Sequence, residues 1–259
     1  MTRWGATLLC LGIASVLSVS ARAERPAKPQ PGRDFQSAET RKLEADEAAN
    51  PAYLWLEDGR RLWRHPAGAA NRSCESCHGA SETALTGVAA RYPRVVPGTG
   101  RLVNIESRIN DCRVTRQEAP AFKAESTELL GLTLLVTHRS RGMPRQVVID
   151  GPAAPIFERG RTLWMTRQGQ MNLACSQCHD DNVGKSLRGD RISQGQSDGW
   201  PAYRLEWQSL GSLHRRLRAC SLGTRAEVLD YGSDDYLALE LYLAWRGGSL
   251  PISSPGIRR

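Results

Sequence analysis

Two pentapeptides of the chain share a Cys-x-x-Cys-His pattern: CESCH at residues 74–78 and CSQCH at residues 175–179. In this pattern the two thiols add to the vinyl groups of haem, and the histidine becomes an axial ligand of its iron. A thioredoxin-like redox pair does not need the adjacent histidine, and a structural zinc site has a different ligand spacing. The sequence therefore predicts two covalently bound haem c groups. The predicted attachment residues are Cys74, Cys77, Cys175 and Cys178, and the predicted iron ligands are His78 and His179.

A lone cysteine follows each motif: Cys112 lies 34 residues after His78, and Cys220 lies 41 residues after His179. A haem iron with one histidine ligand has a second axial position, whose occupant decides between electron transfer and catalysis. A ligand common to both halves must occupy an equivalent position in each, which favours Cys112 and Cys220. A thiolate bound to iron is also protected from further oxidation. A disulfide between these two cysteines is the alternative, because oxidising compartments pair spare thiols.

The remaining methionines and histidines are weaker candidates for the second axial ligand, because none recurs in both halves. Met165 and Met171 precede the second motif and are expected to pack on the helix at its proximal side. His214 is expected at the surface or beside the iron ligands. Trp63 and Trp164 are expected to pack within a repeated helix.

The surroundings of the two motifs repeat at a fixed offset. Residues 57–63 (EDGRRLW) resemble residues 158–164 (ERGRTLW), 101 positions later, and residues 126–144 align with residues 233–251 at an offset of 107. Self-similarity at this period indicates duplicated domains. The leucine spacing of the second pair of stretches predicts an amphipathic closing helix in each half, with a serine N-cap. We therefore predict a mainly α fold of two tandem cytochrome c-like domains related by internal duplication.

The first residues resemble a secretory signal, with a basic Arg3, an apolar run at 6–19 and an Ala-Arg-Ala cleavage motif at 21–23. No later stretch approaches the roughly 18 apolar residues of a membrane-spanning helix. A periplasmic mature chain without a membrane span is the expectation, after cleavage following Ala23. The predicted segments are a signal peptide (1–23), an N-terminal extension (24–50), a first domain (51–151) and a second domain (152–259).

The net charge of +8 comes without a lysine and arginine tract or interleaved aromatic residues, so a nucleic acid partner is not expected. An anionic small molecule or an acidic protein fits this charge better. Arginines concentrate next to Cys220, in HRRLRACSL at 214–222. Of these, Arg215 and Arg218 are expected to be solvated or to pair haem propionates.

Arg216 precedes Cys220 by four residues, and Arg108 precedes Cys112 by four residues. A guanidinium binds a tetrahedral oxyanion bidentately, and positive charge beside a thiol lowers its pKa. Because the same arginine is present in both halves, it can also pair a haem propionate. Substrate binding by Arg216 is the favoured interpretation.

These features resemble the SoxA family, the di-haem subunits of the SoxAX cytochromes of bacterial sulfur oxidation. The resemblance covers the whole mature chain. It depends on CESCH, CSQCH, the lone Cys112, the R-x-x-x-C of Arg216 to Cys220, and GDRISQGQSDGWPAYR at 189–204.

The resemblance implies roles for individual residues. His78 and Cys112 would ligate haem 1, and His179 and Cys220 would ligate haem 2. Cys220 would be the active-site cysteine, carried as a persulfide, and Arg216 would bind the substrate. The implied reaction is the oxidative conjugation of thiosulfate to a cysteine of the SoxYZ carrier protein. Two electrons would pass to haem, to the mono-haem partner SoxX, and to a downstream cytochrome c.

Two other functions stay open. A thiosulfate dehydrogenase would join two thiosulfates to tetrathionate without a carrier, although the other haem of such enzymes generally does not have a second cysteine such as Cys112. A plain di-haem electron-transfer cytochrome would use thiolate ligation only to set a low potential.

Overall fold

A computed structural model describes Met1 and residues 25–259, so the predicted signal peptide and its cleavage site after Ala23 lie outside the described residues. The described part is mainly helical, as predicted. The α-helices are α1 (Ala38–Ala45), α2 (Tyr53–Arg64), α3 (Cys74–His78), α4 (Ser81–Ala84), α5 (Ile105–Arg116), α6 (Thr127–His138), α7 (Ala154–Met165), α8 (Cys175–His179), α9 (Leu213–Gly223) and α10 (Asp234–Arg246). The β-strands are β1 (Arg94–Val95), β2 (Leu102–Val103), β3 (Ser186–Leu187), β4 (Asp190–Arg191), β5 (Ala202–Arg204), β6 (Ser209–Gly211) and β7 (Gly256–Arg258).

A pair of tightly packed helices supports each half of the molecule. In the first half α2 packs on α6, and in the second half α7 packs on α10. The crossings are close because a glycine lies at each of them: Gly59 meets the backbone of Gly131, and Gly160 meets the backbone of Ala238. Gly59 and Gly160 are equivalent in the sequence repeat, so the two halves use the same contact.

The closing helices α6 and α10 begin at the predicted caps. The Ser126 hydroxyl accepts a hydrogen bond from the Leu129 N–H, and the Ser233 hydroxyl accepts one from the Tyr236 N–H. These caps satisfy backbone donors that the first helical turn leaves unpaired.

The prediction that these helices are amphipathic is wrong. Every residue from Leu129 to Thr137 of α6 is buried, and α10 is buried almost all round. The reason is that each half covers the core of the other. Leu210 and Ile252 of the second half lie in the core around α6, and Leu102 of the first half lies in the core around α10.

The two halves also pair their backbones. Pro144 and Pro251, which align in the sequence repeat, form an antiparallel bridge with each other. Next to it, the Gly142 N–H donates to the Ile252 carbonyl, and the Ile252 N–H donates to the Met143 carbonyl, each at 2.9 Å. The interlocked cores and this bridge hold the halves together.

A small sheet distinguishes the second half. Strand β5 pairs antiparallel with β6 and parallel with β7 at the C-terminus. The N-terminal extension packs on this sheet, because Glu44 of α1 forms a buried ion pair with Arg258 at 2.6 Å and accepts the Ile257 N–H. Among residues 25–259, no helix is both long and apolar enough to cross a membrane.

Candidate haem-binding and catalytic site

The first Cys-x-x-Cys-His motif forms the short helix α3. Its N-cap is Ser73, whose hydroxyl accepts a hydrogen bond from the Ser76 N–H at 3.0 Å. The ring of Trp63, at the end of α2, lies 5.8 Å from the His78 ring between centroids. The Trp63 indole N–H donates to the Gly79 carbonyl at 3.0 Å. Trp63 is a buried packing residue, as predicted, and it fixes the position of His78.

The second motif forms α8 with the same tryptophan contact. The Trp164 and His179 rings stack at 5.6 Å between centroids and 30° between planes. The Trp164 indole N–H donates to the Asp180 carboxylate at 2.9 Å, and Arg246 of α10 binds the same carboxylate. The proximal side of this half is therefore anchored to its closing helix.

The imidazole of His179 is oriented for a metal. Its Nδ1 lies 2.7 Å from the Ser193 carbonyl oxygen. A carbonyl can only accept, so Nδ1 carries a proton and Nε2 is left to bind a metal or to contact the Cys220 thiol. This is the tautomer and backbone partner that metal-ligating histidines commonly have.

The two lone cysteines lie on α5 (Cys112) and α9 (Cys220). These two helices are called the distal helices below, because each lies opposite the CxxCH motif of its half. Burial raises the pKa of the Cys74 thiol to about 11, and the nearby Cys112 adds to that rise. In the same way, burial and then Cys220 raise the pKa of Cys175 to about 12. Each lone thiol therefore faces the motif of its own half. The six cysteines of residues 25–259 are free thiols, so the alternative of a Cys112–Cys220 disulfide is not what the structure shows.

The electrostatic setting of Cys220 is unusual for a thiol. Burial raises its pKa, but Arg216, the hydrogen-bonded His179 and the charge of Arg204 lower it by more, to about 7. A thiol with this pKa is substantially ionised near neutrality, which makes its sulfur nucleophilic. Cationic neighbours on one side and an imidazole on the other thus surround a reactive sulfur atom.

The two halves differ at the arginine four residues before the lone cysteine. Arg108 is exposed, whereas Arg216 is partly buried and acts on the Cys220 thiol. These two arginines occupy equivalent positions in the sequence of the two halves, but their surroundings in the structure differ. This difference favours a role for Arg216 that Arg108 does not share.

Other expectations about this region need correction. Arg215 and Arg218 are not simply solvated: Arg215 stacks on Trp207 at 4.2 Å, and Arg218 stacks on Tyr231 at 4.6 Å and donates to a backbone carbonyl. Their pairing with haem propionates stays a prediction. The Met165 and Met171 side chains are exposed rather than packed, with relative exposures of 55% and 53%.

Sequence reasoning missed Arg204. It belongs to the segment 189–204 on which the family resemblance depended, but nothing in the residue order shows that it folds towards Cys220. The strand pairing of β5 between β6 and β7 places it there.

The donor set of each half fits a covalently bound haem. Each half has two thiols of one short helix, an imidazole supported by a tryptophan, and a third thiol on the opposite helix. These are the groups that thioether attachment and two axial bonds require.

Comparison with known proteins identifies the family. A family model described as SoxA/TsdA, cytochrome c domain, matches residues 58–145. The L-cysteine S-thiosulfotransferase subunit SoxA of Pseudaminobacter salicylatoxidans is 41% identical over 226 residues, which cover 87% of this chain and 79% of that relative. The corresponding SoxA subunit of Paracoccus pantotrophus is 39% identical, over 88% of this chain and 78% of that relative.

A solved structure agrees. The crystal structure of SoxXA from P. pantotrophus matches with a TM-score of 0.86 at 38% identity, over 89% of this chain and 87% of that chain. This chain belongs to the SoxA family. The predicted resemblance is thereby confirmed, as are a cytochrome c domain, which implies covalent haem c, and the enzyme class of its relatives, L-cysteine S-thiosulfotransferase.

In this SoxA-family chain, a buried polar cluster joins the distal helices of the two halves. His214 of α9 is only 1% exposed, so the expectation of a surface or ligand-side position is wrong. Its Nε2 lies 3.0 Å from Glu240 of α10, and the same carboxylate accepts from the Asn104 amide, the N-cap of α5, at 3.0 Å. The Gly232 N–H donates to Nδ1 of His214, so the ring proton is on Nε2 and faces Glu240.

Glu106, in the first turn of α5, borders a cavity of about 30 Å³ beside this cluster. Burial raises the pKa of its carboxyl to about 8; the nearby His214 opposes this rise, and the nearby Glu240 and Glu125 add to it. In the unfolded chain the carboxyl ionises near 4.5, its ordinary value. Folding stability that depends on the neutral carboxyl is therefore complete below that pH and is lost as pH rises towards 8.

Replacing Glu106 with glutamine should raise the melting temperature, and the gain should grow between pH 5 and pH 8 to the order of a few degrees. The neutral amide removes the penalty of ionising a partly buried group next to other carboxylates. Thermal unfolding followed by circular dichroism at both pH values measures it, with the exposed Glu128→Gln as the matched control. An equal gain at both pH values, or a gain in both variants, contradicts the assignment.

Proposed function

We propose that this chain catalyses the oxidative conjugation of thiosulfate to a cysteine thiol of a carrier protein. It would bind two haem c groups, through Cys74 and Cys77 in the first half and through Cys175 and Cys178 in the second. The axial ligands would be His78 and Cys112 for haem 1, and His179 and Cys220 for haem 2.

The carrier thiol and the outer sulfur of thiosulfate form a sulfur–sulfur bond, the carrier loses its proton, and two electrons are released. Bound haem supplies an electron acceptor beside the reacting sulfur. The residues of the chain hold the anion, keep the Cys220 sulfur nucleophilic and exclude competing thiols.

The setting of Cys220 is the observation that carries this proposal. Its pKa of about 7 arises although burial alone would raise it, because Arg216, His179 and Arg204 all favour the thiolate. Such an arrangement suits sulfur transfer, in which one sulfur attacks or accepts another. We propose that Cys220 carries a persulfide whose outer sulfur first forms a sulfur–sulfur bond with thiosulfate, with the release of two electrons. The deprotonated carrier thiol would then attack the thiosulfate sulfur of this adduct and release the persulfide unchanged.

Arg216 is the proposed substrate-binding residue. Thiosulfate is a small dianion with tetrahedrally arranged oxygens, which a guanidinium can bind with two parallel hydrogen bonds. Of the positive charges near Cys220, that of Arg216 lowers the pKa of the thiol most. An anion held by Arg216 would therefore lie beside the reacting sulfur.

The partners follow from the family and from the chemistry. The matched crystal structure is of SoxXA, and we propose a SoxX-type mono-haem cytochrome as the heterodimer partner of this chain. The carrier would be a SoxYZ-type protein, and the electrons would leave through SoxX to a downstream cytochrome c. We place the complex in the periplasm, where covalent haem attachment and the predicted signal peptide both fit.

Replacing Arg216 with lysine should raise the KM for thiosulfate by about tenfold or more, because one charge-assisted hydrogen bond of the fork is lost. Steady-state turnover at varied thiosulfate concentration measures the effect. Arg108→Lys is the matched control, since it makes the same change at the exposed equivalent position. Equal effects of the two variants would assign Arg216 a structural role.

The function itself is tested with the purified holoprotein, a SoxX-type partner, a SoxYZ-type carrier and an oxidised cytochrome. Thiosulfate should add to the carrier cysteine with the reduction of two cytochrome equivalents. Tetrathionate made without the carrier would instead support a thiosulfate dehydrogenase. Electron exchange without either product would leave only an electron-transfer role.

A further inference from the structure

Arg204 is a buried cation of the second half to which the proposed function assigns no contact with the substrate. It is the last residue of β5, aligned with Ser209 of β6 and Arg258 of β7. Its side chain is only 7% exposed, and its Nε has no hydrogen-bond partner among the described residues. A buried guanidinium with an unpaired donor is unfavourable unless a further acceptor binds to it.

The outer side of this guanidinium is already occupied. Its Nη2 lies 2.8 Å from the Glu206 carboxylate, whose side chain is 67% exposed, and its face lies 5.0 Å from the Trp207 ring. These contacts fix the plane of the guanidinium. The guanidinium is therefore held in place although its Nε donor has no hydrogen-bond partner among the described residues.

Arg204 lies close enough to the other arginine of the site for the two charges to interact. Burial lowers the pKa of Arg204, and the nearby Arg216 lowers it further. Arg216 and Cys220 lie one turn apart on the same face of α9. Two like charges held close together at a partly buried site are unfavourable alone, and an anion between them relieves the repulsion.

The first half has no equivalent of this feature at the corresponding place. The second half is longer between its motif and its lone cysteine, 41 residues against 34, and among the described residues the strands of the first half in that stretch are only β1 and β2, with no third strand beside them. Arg204 thus belongs to the half that contains the reactive thiol.

We propose that Arg204 is a second thiosulfate-binding residue, which together with Arg216 holds the sulfonate oxygens of the dianion beside the Cys220 sulfur. This inference rests on the proposed function, and it explains why the site would select thiosulfate. Two cations at one site match a doubly charged anion, and they discriminate against neutral thiols and singly charged ones.

The first test titrates thiosulfate into the oxidised holoprotein without carrier, by calorimetry. Arg204→Lys should weaken binding by about tenfold, with a matching rise in KM and a kcat changed by less than about threefold. Arg215→Lys is the matched control, since Arg215 stacks on the same Trp207 and its guanidinium already donates to Ser209. Thiosulfate affinity equal to wild type in the Arg204 variant would overturn the proposal.

A second variant tests the same role without changing a buried residue, so its result does not depend on whether the Arg204→Lys variant folds correctly. Glu206→Gln takes away the exposed carboxylate that partly neutralises Arg204 and leaves the guanidinium in place. Thiosulfate should then bind about two- to fivefold more tightly, and the KM should fall. Unchanged or weaker binding in this variant contradicts a role of Arg204 towards the anion.

The titration also separates this inference from the proposed function. If wild type binds thiosulfate and the two variants shift its affinity as stated, Arg204 is an anion-binding residue even when no carrier adduct forms. If the adduct forms but the two variants bind like wild type, the function stands and the role of Arg204 is wrong.

Discussion

Replacing Cys220 with serine is expected to reduce thiosulfate conjugation by roughly a thousandfold or more, as loss of a nucleophile does. Serine is close to cysteine in size, so packing on α9 should change little. Its hydroxyl has a far higher pKa and cannot form a sulfur–sulfur bond. Turnover with thiosulfate and the carrier measures the loss, and the absorption spectrum should change at haem 2.

Cys112→Ser is the informative comparison for this prediction. It makes the same change at the lone cysteine of the first half, where Arg108 is exposed. Its spectrum should change at haem 1, and conjugation should be slowed far less than in the Cys220 variant. If Cys220→Ser changes the spectrum but keeps turnover, the thiolate serves only to tune a potential, and the site at Cys220 is not catalytic.

Replacing Gly160 with alanine is expected to destabilise the second half by about 3 kcal/mol, or roughly 6–12 °C in melting temperature. A methyl group there would overlap the Ala238 carbonyl of α10 and lie 3.0 Å from the Tyr242 Cβ. Helices α7 and α10 would have to separate, which would move both Trp164 and Arg246 from the proximal side of His179. Thermal unfolding and haem content of the purified variant measure the effect.

A loss of stability in this variant would be informative, because replacing glycine with alanine inside a helix normally stabilises the helix by about 1 kcal/mol. Gly223→Ala is the matched control: Gly223 also lies in a helix, but a methyl group there would meet open space. It should leave stability unchanged or raise it slightly. A Gly160 variant as stable as the Gly223 variant would mean that the close crossing of α7 and α10 does not hold the second half together.

The covalent chemistry and the closing helices could be predicted from the sequence because their signals are local. Each CxxCH motif supplies two thiols and an imidazole within five residues, and the structure shows that each motif forms one short helix. The glycines at 59 and 160 recur at the same offset as the motifs, and the structure places both at close helix crossings. The serine caps at 126 and 233 could be predicted for the same reason, and the structure confirms both.

What the sequence could not show depends on contacts between distant segments. The leucines of α6 and α10 predicted one apolar face, yet both helices are buried nearly all round because the halves exchange core residues such as Leu210 and Leu102. His214 looked like part of a charged surface stretch, but it lies in the cluster that joins the halves. Arg204 acquires its place only through the strand order β6–β5–β7.

The most direct test of the central claim is the mass of the peptide that contains Cys220. Trypsin releases it as ACSLGTR, residues 219–225, and releases Cys112 as INDCR, residues 109–113. When the purified holoprotein is denatured without reductant, the Cys220 peptide should be about 32 Da heavier, an increment lost on reduction. The Cys112 peptide should be unmodified. An unmodified Cys220 peptide, or equal modification of both, would contradict sulfur transfer at Cys220.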